Sequence, residues 1–102
     1  MKIIQKYVKL VEEELESAED YIKMAITHKE DNPKLAKALY DISNDEMRHV
    51  EILHNEVVDL IAEHRRTSGE PPASMLAVYN YLHERHIDKA SEIKMLQAEY
   101  RK

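Results

Sequence analysis

Leu39-Tyr40-Asp41-Ile42-Ser43-Asn44-Asp45-Glu46-Met47-Arg48-His49-Val50-Glu51-Ile52-Leu53 reads as the middle of a helix whose apolar stripe is interrupted by a glutamate and a histidine one turn apart. Take Glu46 as the zero direction at about 100° per residue. Leu35, Leu39, Ile42, Val50, Leu53, Val57 and Leu60 then lie within about 40° of it, and His49 sits about 60° away. Two ionisable side chains therefore fall where the packing surface should be.

The chain of 102 residues is one domain's worth of material, 43% hydrophobic, 34% charged and 6% aromatic, with every aromatic a Tyr. One Gly and three Pro leave little turn chemistry, so long regular elements with few connections are expected. Glu and Lys interspersed with Leu, Ile and Ala favour helix. The net charge of -5, with no basic stripe, argues against a nucleic-acid partner. There is neither an apolar run of membrane-spanning length nor a signal-peptide layout, so a soluble, cytoplasmic protein without a membrane partner is expected. Without Cys there is no disulfide framework, thiolate nucleophile or iron–sulfur site.

Outward from the opening stretch, the periodicity predicts three helices in a single domain spanning 1–102. Helix 1 runs from about 2 to 29, where Ile4, Val8, Val11, Leu15, Ala18, Ile22, Ala25 and Ile26 share one face with Tyr7 and Tyr21. Most of its acids face away and Glu19 lies just off the edge, but Glu14 falls inside that face, between Val11 and Ala18. Helix 2 runs from about 33 to 66, with Asn32 as N-cap, Pro33 in the first turn and Gly69 placed to end it. Helix 3 runs from about 73 to 100. Its stripe of Met75, Val78, Tyr79, Leu82, His86, Ile93, Leu96 and Tyr100, with Lys89 near the middle, is weaker and more polar.

Glu46-x-x-His49 puts a carboxylate and an imidazole on adjacent turns of one face, a spacing that recurs in four-helix di-iron and di-manganese carboxylate sites. The bare pattern is weak evidence, because Glu51-x-x-His54 repeats it pointing mostly toward solvent. Phase separates the first copy from the second. An ionised carboxylate in an apolar stripe is costly unless a cation offsets it. Glu14, Glu46 and His49 together make half of a di-iron donor set, and helix 3 cannot supply the rest: Glu84 is followed three residues on by Ile87, and Glu92 by Met95. Two copies about a two-fold axis would complete the site, so a homodimer or higher even oligomer is expected.

Taken singly, these residues have plainer readings. His49 can be a hydrogen-bonded core histidine, Glu46 can pair with Lys89, and Glu14 can snorkel to solvent. Tyr21, on Glu14's side, can support a metal site or be a core tyrosine with a wet hydroxyl. Glu56 and His64 read as edge residues. His83-x-x-His86 has ligand spacing, but only His86 points inward.

Val11-Glu12-Glu13-Glu14-Leu15-Glu16-Ser17-Ala18-Glu19-Asp20-Tyr21, Leu35-Ala36-Lys37-Ala38-Leu39 and Asp45-Glu46-Met47-Arg48-His49 together resemble the ferritin-like superfamily. The nearest forms are rubrerythrin-like domains and short encapsulated ferritins, and the likeness covers about residues 8 to 60. It rests on the helix-1 Glu14 with Tyr21 seven residues on, and on the helix-2 Glu46 and His49. The resemblance implies a ferritin-like four-helix bundle completed by dimerisation. It also implies a di-iron centre (manganese being the other candidate) that binds Fe(II) and oxidises it with oxygen or peroxide. Rubrerythrins carry a second Glu and a second Glu-x-x-His on later helices, which this chain lacks. The terminal Gln97-Ala98-Glu99-Tyr100-Arg101-Lys102 is unlike an encapsulin-targeting tail, which counts against an encapsulin shell as partner. The alternatives are a metal-free helical assembly or adaptor protein, and one structural ion per chain with His86 as fourth ligand.

Overall fold

A computed structural model describes residues 2–102 as three α-helices: α1 (Lys2–His28), α2 (Pro33–Ser68) and α3 (Ala73–Arg101). They form a rod of 55 × 18 × 17 Å. The ends lie where the local chemistry sets them. Asn32 Oδ1 accepts the Leu35 N–H at 3.2 Å, with Pro33 in the first turn, where its missing N–H leaves no bond unmade. Gly69, at φ 83°, closes α2 by donating its N–H to the Arg65 carbonyl at 3.2 Å. None of the helices is long and apolar enough to cross a membrane, among the described residues.

α1 and α2 are an antiparallel hairpin zipped along a seven-residue repeat. The buried positions are Ile4, Val11, Ala18 and Ala25 on α1, and Ala36, Ser43, Val50 and Val57 on α2. Ser43 Oγ donates to the Ala18 carbonyl at 2.8 Å, which fixes the register. In that register Ile4 lies opposite Val57, Val11 opposite Val50 and Ala25 opposite Ala36. Branched side chains thus fill the far end of the seam, and small ones let the backbones approach near the connection. A strict seven-residue repeat keeps such a seam facing its partner over many turns. Leu15 and Ile22 are buried beside it and add about 1.5–3 kcal/mol each in transfer free energy.

The seam corrects the face drawn from sequence. It is centred about 50° round α2 from Glu46, and Leu35 and Ile42, expected inside, are 40% and 37% exposed. Ala36 and Ser43 take the interior instead. Neither is a strong hydrophobe; they are buried because only small side chains fit where the helices come closest.

α3 packs mainly on α1, running parallel to it, and touches α2 sparingly. Ile93 joins the core cluster of Val11, Leu15, Ala18, Ile22 and Val50, while Tyr79 joins Ile4 and Val57. Gln97, also buried, donates from Nε2 to Ser43 Oγ at 3.1 Å, so one hydrogen-bonded chain ties all three helices together. Near the α1–α2 connection Tyr40 and Tyr100 stack with ring centroids 4.5 Å apart, and Arg101 donates to Tyr40 Oη at 2.8 Å. Lys89 pairs with the largely buried Glu19 at 2.8 Å. That ion pair holds Glu19 below the usual carboxylate range and Lys89 above its own. Lys89 is therefore not the partner of Glu46 that the sequence offers.

Candidate metal centre

Glu14 lies on the edge of α1 away from α3, one turn past Val11 and one before Ala18. Glu46 and His49 lie on the matching edge of α2, because their phase puts them just outside the Ser43–Val50 seam. The hairpin register then brings the three together, and one ligand atom from each lies within 4.8 Å of the others. His49 Nδ1 stands 3.5 Å from Glu14 Oε2, and the two side chains are 49% and 30% exposed. Glu14 Oε2 itself is buried and has no hydrogen-bond partner. The expected donor set is thus assembled at the surface of the hairpin, on the border of its core.

The neighbouring carboxylate makes Glu46 hold its proton more tightly. The hydrogen bond to Glu14, partial burial and the negative charge of Glu14 raise the Glu46 carboxyl to about 7, with Asp45 adding to the rise and His49 opposing it. Two close carboxylates with an orphaned oxygen and an adjacent imidazole suit a cation. Oxygen-rich ligation with a single imidazole favours iron or manganese over a structural zinc. An ion held there would be ligated by Glu14, Glu46 and His49, and three protein ligands leave positions open.

α3 does not reach this face. It covers the opposite edges, where Glu12 and Glu19 of α1 face His86 and Lys89. His86 Nε2 stands 3.7 Å from Glu12 Oε1, away from the three clustered residues, so this arrangement gives His86 no place as a fourth ligand. His83 stacks on His54 at 5.0 Å between ring centroids, and Glu51 remains exposed, which leaves Glu51-x-x-His54 outside any group of converging ligands. Tyr21 is half-buried on the same side as Glu14 but outside the converging group, as are Glu56 and His64. Ser43 and Gln97, the buried polar pair, were not singled out from sequence. The available signal was the seven-residue spacing of Ala36, Ser43, Val50 and Val57.

The two helices that carry these residues also expose Ile3, Leu35 and Ile42, with Tyr7, Tyr21 and Leu53 partly covered. No family model, no curated protein and no solved structure matches the chain.

Proposed function

We propose that the protein is a di-iron carboxylate protein of ferritin-like architecture, its centre shared between two copies related by a two-fold axis. Glu14, Glu46 and His49 of each copy are the ligands, and Fe(II) is oxidised there by oxygen or peroxide. The observation that carries this reading is the convergence of two carboxylates and an imidazole, one oxygen orphaned, on a face that α3 leaves bare. Ile3, Leu35 and Ile42, exposed on the same two helices, give a second copy apolar side chains to cover.

Two Fe(II) ions bound by these residues would supply the two electrons that, with two protons, take peroxide to water. The chain's own work is binding and proton control. Glu46 would give up its retained proton when a cation binds, and His49 must be neutral at its ligating nitrogen. The runner-up is a metal-free helical assembly, favoured by the same exposed apolar side chains, which would drive pairing without an ion.

Rapid mixing of Fe(II)-loaded protein with peroxide tests the proposal. A ferric absorbance should form far faster with the native chain than with a Glu46→Ala, His49→Ala variant. Equal rates in the two would overturn it.

A further inference from the structure

A second pair of donors lies away from the clustered carboxylates, across the two helices that touch sparingly. His54 of α2 and His83 of α3 stand with ring centroids 5.0 Å apart and planes 15° apart. His54 is half-buried and His83 is exposed. Both rings line a cleft of about 340 Å³ that runs toward Arg65 and Leu76, and one of about 500 Å³ that runs toward Asn44 and Lys94.

Neither ring is committed elsewhere. The side-chain hydrogen bonds and ion pairs of histidine, among the described residues, belong to His28, His49 and His86. Two imidazoles on one ion, with metal–nitrogen bonds of about 2.0–2.1 Å and square to tetrahedral angles, hold their ring centres roughly 4.5–5.2 Å apart. The separation of His54 and His83 falls in that range. Near-parallel planes do not aim two nitrogens at one point, so closure on an ion needs a turn of the exposed His83 ring about its Cβ–Cγ bond, which is a broad torsion. The clefts beside the rings leave room for that turn and for water. Glu51 stays outside any converging group, so the partner of His54 is on α3 and not one turn back on α2.

We propose that His54 and His83 clamp one divalent ion of the nickel, copper and zinc class, with water in its other positions, and so tie the first half of α3 to α2. Two neutral imidazoles with no carboxylate converging on them select such borderline ions over magnesium, calcium or manganese. The site therefore differs in metal as well as in place from Glu14, Glu46 and His49, whose oxygen-rich set suits iron or manganese.

Calorimetric titration of the full chain with Ni(II) tests this in a Glu46→Ala, His49→Ala background, where the carboxylate centre is silent. One Ni(II) should bind per chain, and Mn(II) should bind at least about tenfold more weakly. His54→Gln and His83→Gln, added singly, should each weaken Ni(II) about hundredfold, the gain from engaging two linked donors instead of one. His64→Gln should leave binding unchanged. With Ni(II) at about a hundred times its Kd, the melting temperature should rise by roughly 10 °C, and the rise should vanish in His83→Gln. Native helicity and an unchanged metal-free melting temperature in the variants separate lost ligation from lost fold. A chain that binds no Ni(II), Ni(II) affinity indifferent to both histidines, or Mn(II) bound as tightly overturns the proposal. So does Ni(II)-dependent dimerisation in this background, which would place the two donors on different chains.

Discussion

The two faces of the α1–α2 hairpin differ in what covers them. On the face under α3, Ser43 is bonded to Ala18 and Gln97, Glu19 to Lys89, and Tyr40 to Arg101. Each is satisfied by the same chain. On the bare face Glu14 and Glu46 lie together beside His49, with no Lys or Arg paired to them among the described residues, and Ile3, Leu35 and Ile42 are exposed. The proposed second copy would cover these apolar side chains.

Stability measurements break the comparison most readily. Ile22→Ala, in the covered core, should cost about 3 kcal/mol in denaturant unfolding. Ile42→Ala on the bare face should cost less than about 0.5 kcal/mol at monomer concentrations, yet weaken self-association about tenfold, or 1.4 kcal/mol. Comparable losses of fold stability at both positions would mean that the faces do not differ as described.

The next effect is the polar link under α3. Ser43→Ala removes the acceptor of Gln97 Nε2 and the donor to Ala18, and should destabilise by about 1–2 kcal/mol. Adding Gln97→Leu should recover much of that loss, because a satisfied apolar pair replaces an orphaned amide. A double variant worse than the single one would contradict the link's assignment as the register pin.

Helix bounds were readable from sequence because Asn32-Pro33 and Gly69 impose them through backbone chemistry that tertiary packing leaves alone. Glu14, Glu46 and His49 were readable as a group because phase survives in a register set by a regular repeat. The true centre of the seam was not. Hydrophobicity marked Leu35 and Ile42, whereas the fold buries Ala36 and Ser43, whose merit is small size at a close approach. For α3 the phase marked His86, Lys89 and Ile93 as inward, but it missed the buried Gln97 and placed Val78, 54% exposed, inside. A polar residue that is buried because it is paired looks, in sequence, like one that faces water.

Smaller effects come from Glu46. Its folded value of about 7 exceeds the ordinary 4.5, so the folded chain without metal binds the extra proton between those values. Stability from this group is present below 4.5 and is lost as pH rises through about 7. In a dry site the shift would equal about 3 kcal/mol; solvent at this surface reduces it to on the order of 1 kcal/mol. Chemical denaturation between pH 4.5 and 8 should show that decline, and Glu46→Gln should flatten it. Cation binding has the opposite slope: Mn(II) affinity should rise about tenfold from pH 6 to 8 as the Glu46 proton leaves. A pH-independent affinity would remove the proton from the account.

The central claim is that the bare face is half of a metal site. Sedimentation equilibrium of iron-loaded protein, with iron counted in the same sample, tests it most directly. A dimer should carry two irons, and Glu46→Ala with His49→Ala should lose both. Iron retained on a monomer, or a dimer whose iron content ignores those substitutions, would contradict it.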